Sequence, residues 1–303
     1  MKNVLAIDIG GSKMMAAMVE IFFDAAGGGW NFKMLQSVQQ ELRGEVTETR
    51  ILDQIDAFLR ELGGVEAVES IGVTIPGLAD ERVWIYAPFS GIENFPIVDE
   101  LANRYGRPVF IENDVNACAR AEWLFGACRG IHDFLWMTVS NGIGGALFLD
   151  DKIYSGSQGF SGEFGHITVV DDGEKCGCGK RGCLEAECAG PGISRYYARL
   201  TGENLSALEI AQRFAAGDEN ARKTWEREGV VLGRTLANLA NVLNPAKVIL
   251  GGGVSRSWDL FAPSLNQTFQ KNLFARANAG LVVERTALGY EAALFGAVAL
   301  NCK

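Results

Sequence analysis

Twice in this chain an apolar run meets a cluster of glycines and a second apolar run follows at once. The stretches are VLAIDIGGSKMMAAMVE, from Val4 to Glu20, and FLWMTVSNGIGGALFLDD, from Phe134 to Asp151. Such a pattern reads as strand, tight turn, strand, because glycine relieves the turn and the apolar runs suit a buried sheet. After the first unit, Gly27–Gly29 turns the chain into a third antiparallel strand, Trp30–Gln40. Apolar residues at Ile51, Leu52, Ile55, Phe58, Leu59 and Leu62 follow helical spacing and predict a helix over Glu48–Leu62, stopped by Gly63-Gly64. Strands SIGVTIPG and PVFIEND flank a short helix at Val98–Tyr105. The second unit leads to a largely helical stretch, Ala207–Leu243, then the strand KVILGGG, a helix over Ser257–Phe274, the strand GLVVERTAL and a last helix, YEAALFGAVAL. A weakly repeated strand meander alternating with helices predicts an α/β fold of two related lobes with mixed sheets, not one purely parallel sheet. The pattern sets the lobe boundary near Asn113–Asn116.

Bulk properties narrow the chemistry. A net charge of −9 with scattered Lys and Arg offers no basic face for a nucleic acid. The apolar run at Val4–Ile7 is too short for an export signal and no stretch reaches membrane-span length, so a cytoplasmic protein is expected, with no membrane partner. Seven cysteines, an odd number without an export signal, argue against a disulfide framework.

Three glycine turns each follow a strand: Asp8-Ile9-Gly10-Gly11-Ser12-Lys13, Ser140-Asn141-Gly142-Ile143-Gly144-Gly145, and Gly251-Gly252-Gly253-Val254-Ser255. None matches a P-loop or a dinucleotide fingerprint. Any one of them alone could be only a hairpin turn, but three at this spacing point to phosphate binding, with backbone N–H groups aimed at an anion. Asp8 beside the first turn suits a Mg²⁺ held partly through water, or else caps its own turn. ENDVNA, Glu112–Ala117, admits two readings. Asp114 either caps the helix that follows or is a base that takes a proton from an attacking hydroxyl.

The segment CGCGKRGC, Cys176–Cys183, together with His166 of GEFGH, has the spacing H-x9-C-x-C-x4-C. One imidazole and three thiolates make a closed tetrahedral set suited to a structural Zn²⁺ at His166, Cys176, Cys178 and Cys183. Buried apolar cysteines fit poorly beside Lys175, Lys180 and Arg181. Cys118, Cys128, Cys188, Cys302 and His132 lack ligand spacing. Glu163 and Glu185 flank the cage. They are either solvated surface or carboxylates held to accept sugar hydroxyls.

AIDIGGSK, VTIPG, ENDVNA, NGIGG, GEFGH, CGCGKRGCLE, VILGGGVS and EAALFGAVAL, in this order over nearly the whole chain, resemble the ROK family of sugar kinases and related repressors. The resemblance implies an actin/hexokinase-like ATPase fold with a structural zinc loop and two lobes closing over a cleft. One lobe would span 1–115, joined by the C-terminal helix at about 290–303, and the other 116–289. It implies ATP and Mg²⁺ as co-substrates, Asp114 as the base, and Gly77, Asn113, Asp114, Glu163, His166 and Glu185 around the sugar. Asp8, Gly10, Gly11, Ser12 and Lys13 would serve the Mg²⁺ and phosphates, with Asn141, Gly142, Gly144 and Gly145 as the second phosphate loop and Gly251, Gly252 and Gly253 beside the adenosine. It also suggests dimers or tetramers. Three departures stand out. Ala87-Pro88-Phe89-Ser90 replaces an Asn-containing segment near the sugar, Asn141 stands where Thr is common, and CLEAECAG replaces an aromatic-Ala-Ser-Gly continuation.

The expected activity is ATP-dependent phosphorylation of a hexose, with O6 of glucose or a related aldohexose first. N-acetylglucosamine, N-acetylmannosamine, allose and fructose are the alternatives. A sugar-sensing regulator of the same fold would carry a winged-helix domain before the first glycine turn, and Asp8 follows only seven residues. A catalytically silent sugar-binding protein is the third reading, and Asp8, Asp114 and the three turns weigh against it.

Overall fold

The computed structural model describes residues 1–25, 27–42, 46–87, 91–274 and 278–302. The chain divides into two compact units, Met1–Gly130 with Ser155–Phe160 and Glu291–Lys303, and Ile131–Tyr154 with Ser161–Tyr290.

In the first unit β1 (Lys2–Ile9), β2 (Lys13–Asp24) and β3 (Gly29–Glu41) form the expected antiparallel meander. β4 (Ser70–Ile75) runs parallel to β1. Three short strands, β5 (Leu78–Ala79), β6 (Trp84–Tyr86) and β7 (Glu93–Phe95), make a small antiparallel sheet. β8 (Val109–Asn113) then joins β4, giving the order β3-β2-β1-β4-β8. Both faces of β1 are covered, which is why it reads as a continuous apolar run. Leu5, Ile7 and Ile9 meet Ile51, Ile55 and Phe58 of α1 (Glu48–Glu61), while Val4 and Ala6 meet Leu294, Ala297 and Val298 of the C-terminal helix, Ala292–Ala299. α1 starts where the Thr47 hydroxyl accepts the Arg50 N–H at 3.3 Å. α2 (Ile97–Tyr105) and α3 (Asp114–Phe125) complete the unit.

The C-terminal helix lies so close to β4 that a Cβ on Gly72 would sit 2.0 Å from the Ala297 carbonyl oxygen and 2.5 Å from Asn301 Nδ2. Backbone on backbone leaves no room to adjust. Gly72→Ala is therefore expected to destabilise by about 1–3 kcal/mol, read as a lower urea midpoint.

The second unit repeats the design. β9 (Phe134–Val139), β10 (Ile143–Leu149) and β11 (Lys152–Ile153) are antiparallel, β12 (Lys247–Gly251) is parallel to β9, and β13 (Val283–Arg285) is parallel to β12. The order β11-β10-β9-β12-β13 matches the first sheet strand for strand. α4 (Leu184–Cys188), α5 (Gly190–Thr201), α6 (Ala207–Ala215), α7 (Glu219–Leu243) and α8 (Trp258–Asn272) are its helices. Leu135, Met137, Val139, Val248 and Leu250 pack against Trp225, Leu232 and Leu236 of α7 and Phe261 and Leu265 of α8. The predicted helical run 207–243 is two helices. Gly217 takes φ +85° and Asp218 caps α7 by accepting the N–H groups of Asn220 and Ala221, at 2.7 and 3.1 Å. The predicted strand GLVVERTAL pairs only over Val283–Arg285. Among the described residues no helix is long and apolar enough to cross a membrane.

Candidate active site and metal centre

Parallel pairing brings the carboxyl ends of β1, β4 and β8 to one edge of the first sheet, with Asp8 beside Thr74 and Thr74 beside Glu112 in register. Open α/β sheets place their ligands at such an edge. The Thr74 hydroxyl is fully buried and donates to Asp8 Oδ1 at 2.9 Å, while the Ile7 and Ala293 carbonyls lie farther away, each at 3.4 Å. A hydroxyl has one proton, and the shortest approach decides where it goes. Burial pushes Asp8 up to about 6, against the opposing effects of the Thr74 bond and the Lys13 charge. In the turn, the Gly10 N–H reaches the Lys13 carbonyl at 2.9 Å, Gly11 and Ser12 are exposed, and Lys13 opens β2.

The helix cap at ENDVNA falls to Asn113, one residue before the Asp114 that the capping reading favoured. Asn113 Oδ1 accepts the N–H groups of Val115 and Asn116, at 2.9 and 3.1 Å. Its Nδ2 donates to the Gly77 carbonyl at 2.9 Å and to Asp114 Oδ1 at 3.1 Å. Gly77 holds φ +84°, so this contact ties the VTIPG turn to the start of α3. Asp114 Oδ1 also accepts the Val115 N–H at 3.0 Å. Burial first, then the Asp8 charge, push Asp114 up to about 7, against these hydrogen bonds. A carboxylate poised there suits proton transfer near neutral pH. Thr74 was not singled out from sequence. Its one signal is a hydroxyl residue in the otherwise apolar run VTI.

In the second unit the turn between β9 and β10 is closed by the Ser140 N–H on the Gly142 carbonyl, at 2.8 Å. Asn141 is exposed at its tip, and Gly144 and Gly145 lie within β10. Glu185 Oε2 accepts the Ile143 N–H at 3.0 Å, and a Cβ on Gly142 would come within 2.7 Å of that oxygen. The carboxylate therefore rests on the glycine turn. Gly251 ends β12, Gly252 has φ +85° and its carbonyl accepts the Ser255 hydroxyl at 2.7 Å, and Gly253 opens a 3₁₀ turn.

His166, Cys176, Cys178 and Cys183 present ligand atoms that all lie within 4.8 Å of one another. His166 Nδ1 stands 3.7 Å from Cys176 Sγ, and the sulfurs of Cys178 and Cys183 are 3.6 Å apart. A tetrahedron with bonds of about 2.3 Å has edges of about 3.7 Å, so this donor set fits a zinc ion. All seven cysteines are free thiols. With Nδ1 turned to the sulfurs, His166 Nε2 faces Glu163 Oε2 at 3.6 Å. Glu163 itself is exposed. A groove of about 180 Å³ opens beside the cage, lined by Asn141, Lys175, Cys176, Glu185 and Arg195 among others. Of the segment Ala87–Ser90, Pro88, Phe89 and Ser90 lie outside the described residues. Cys118, Cys128 and Cys188 are buried and Cys302 is partly so, while His132 bonds Asp151 at the surface at 2.8 Å.

Two sheets of matching topology, glycine turns at strand ends, two half-buried carboxylates and a Cys₃His cluster define a duplicated α/β protein. The chain belongs to the ROK family, whose sequence profile matches residues 4–303. It is 30% identical to a glucokinase of Halalkalibacterium halodurans, over 96% of this chain and 92% of that one. A ROK family glucokinase from Streptomyces griseus, solved in complex with glucose and AMPPNP, is 30% identical, with a TM-score of 0.81 and 97% of each chain covered. A xylose repressor of Bacillus subtilis is 28% identical over 83% of this chain and 66% of that protein. Kinases and repressors thus stand at similar distances, and the kinase relatives support sugar phosphorylation.

Proposed function

We propose that this protein transfers the γ-phosphoryl group of ATP to a hexose hydroxyl, O6 of glucose or a related aldohexose, with an N-acetylhexosamine as the alternative. The observation that carries the reading is Asp114, a carboxylate held near 7 beside Asp8 at the carboxyl edge of the first sheet. Asp114 takes the proton of the attacking hydroxyl as its oxygen bonds to the γ-phosphorus, and ADP departs. Asn113 and Gly77 hold Asp114 in place and meet the sugar, joined by Glu163, His166 Nε2 and Glu185. The turns at Gly10–Lys13, Asn141–Gly145 and Gly251–Gly253 receive the nucleotide. A Mg²⁺ held at Asp8 would neutralise phosphate charge, and a half-buried carboxylate with one oxygen engaged by Thr74 suits a cation that keeps several waters. A zinc ion held by His166, Cys176, Cys178 and Cys183 would fix the loop that carries His166. Dimers or tetramers belong to the same reading and are checked by light scattering.

The test is ADP release with MgATP and a panel of glucose, mannose, fructose, allose, N-acetylglucosamine and N-acetylmannosamine. Turnover on one of them supports the kinase. Tight sugar binding without turnover favours the second reading, a sugar-responsive binding protein, which the repressor relatives motivate.

Thr74→Val keeps shape and removes the donor to Asp8. A hydrogen bond to a charged group is worth about 1.5–3 kcal/mol, so MgADP affinity, read by calorimetry, is expected to fall about tenfold or more. Thr74→Ser restores it.

A further inference from the structure

The departure CLEAECAG places a carboxylate, Glu187, where the family resemblance leads one to expect an aromatic ring. Glu187 is 2% exposed, directly under the metal loop. An acid this deep must be paired. Its Oε2 meets Arg227 Nη2 at 2.5 Å, and Arg227 Nη1 donates to the Glu187 backbone carbonyl at 3.1 Å. The guanidinium also lies over the Tyr196 ring, 4.5 Å from its centroid. Arg227 belongs to α7, whose Trp225 and Leu232 are seated in the core of the second unit.

The other oxygen points at the loop. Glu187 Oε1 accepts the Glu174 N–H at 2.7 Å. The Glu174 carbonyl in turn accepts the Gly182 N–H at 2.8 Å, closing the base of the loop across its two strands. The strands cross so tightly that a Cβ on Gly173 would fall 2.4 Å from Glu187 Oε1 and 2.8 Å from the Gly182 Cα. Above this base the Cys176 N–H reaches the Lys180 carbonyl at 2.8 Å. The Glu174 side chain is held from outside by Arg199 and, at 3.6 Å, by Arg195. An aromatic ring at 187 would fill the space but could not accept the Glu174 N–H.

Buried ion pairs add little net stability over an apolar pair of equal volume, so stability alone does not account for this one. What it does supply is geometric. We infer that Glu187 and Arg227 are positioning residues for the metal centre, anchoring the base of the loop Gly173–Gly182 to α7 so that Cys176, Cys178, Cys183 and His166 are arranged for the ion before it binds. The inference rests on the reading of the cage as a zinc site.

The test is Zn²⁺ affinity of the full-length protein without sugar or nucleotide, by competition with a chromogenic chelator, beside thermal melting. The variants are Glu187→Met, which cannot accept the Glu174 N–H, Arg227→Met and the double substitution. Groups bonded to metal ligands typically contribute 10–100-fold in affinity; Glu187 acts one bond further out, through the Glu174 N–H, so each single variant is expected to lose about tenfold. The double variant removes both charges of the pair and should recover melting temperature without recovering zinc affinity. It carries the comparison alone if a single variant does not fold. Folded variants with zinc affinity within about threefold of the parent overturn the inference, as does affinity that simply tracks melting temperature across the set. A parent protein that binds no zinc overturns the zinc reading itself, which separates the two failures.

Discussion

On the proposed kinase reading, Asp114→Asn is expected to lower sugar-dependent ADP release by at least ~10²-fold while sugar binding persists. The amide keeps the shape and can still accept the N–H of Val115, but it cannot take a proton. With Asp114 as the base, kcat/KM of the parent protein is expected to fall about tenfold per pH unit as pH drops through about 7, because the free protein then holds the proton that the base must lack. The same shift has a consequence for stability. The folded value, about 7, lies above the ordinary 3.8. Between those two pH values the folded protein keeps a proton that the unfolded chain has released. Stability therefore declines as pH rises through this window, and the deficit is complete above about 7. Asp114→Asn removes the deficit. It should raise the melting temperature at pH 8, by the equivalent of roughly 1–2 kcal/mol once the exposed edge of the side chain is allowed for, and leave it unchanged at pH 4. An inactive variant with no gain at pH 8 would place the Asp114 charge in water, and its pH profile would need another origin.

Cys183→Ser is the second large effect. Cys183 is fully buried and is the residue from which α4 starts, so it joins the cage to the helix that bears Glu185 and Glu187. Loss of this ligand is expected to lower zinc content from near one per chain to a small fraction, measured by elemental analysis. Sugar affinity should fall about 10–100-fold and MgADP affinity by less, since one of the three glycine turns, with Asp8, belongs to the other unit. Chelator treatment of the parent should reproduce both results. Zinc loss with unchanged sugar affinity would mean that the cage supports the fold and not the sugar-binding carboxylates.

Some of this was open to inspection in the linear chain. The strand–glycine–strand units, the α1 stripe and the H-x9-C-x-C-x4-C spacing depend on periodicity and turn chemistry within a few residues, and those travel with the sequence. The matching order of the two sheets extends what the weak repeat suggested. Glu185 could equally have been solvated surface. Its seat on the Ile143 N–H, 42 residues away, is a tertiary fact. The same holds for the cap at Asn113. Two adjacent residues could each have capped α3, and the Gly77 carbonyl, 36 residues distant, draws Asn113 into that role and leaves Asp114 at the first turn.

The sequence by itself determined the kinds of element, the candidate Cys₃His cluster and the candidate residues for proton chemistry, because each is written in local spacing or side-chain type. Only the tertiary structure decided that Thr74 serves Asp8 across 66 residues, that Arg227 neutralises Glu187 across 40, and that Gly72 must lack a side chain. Strand register and the loss of water set those partnerships, and neither can be read from one segment alone.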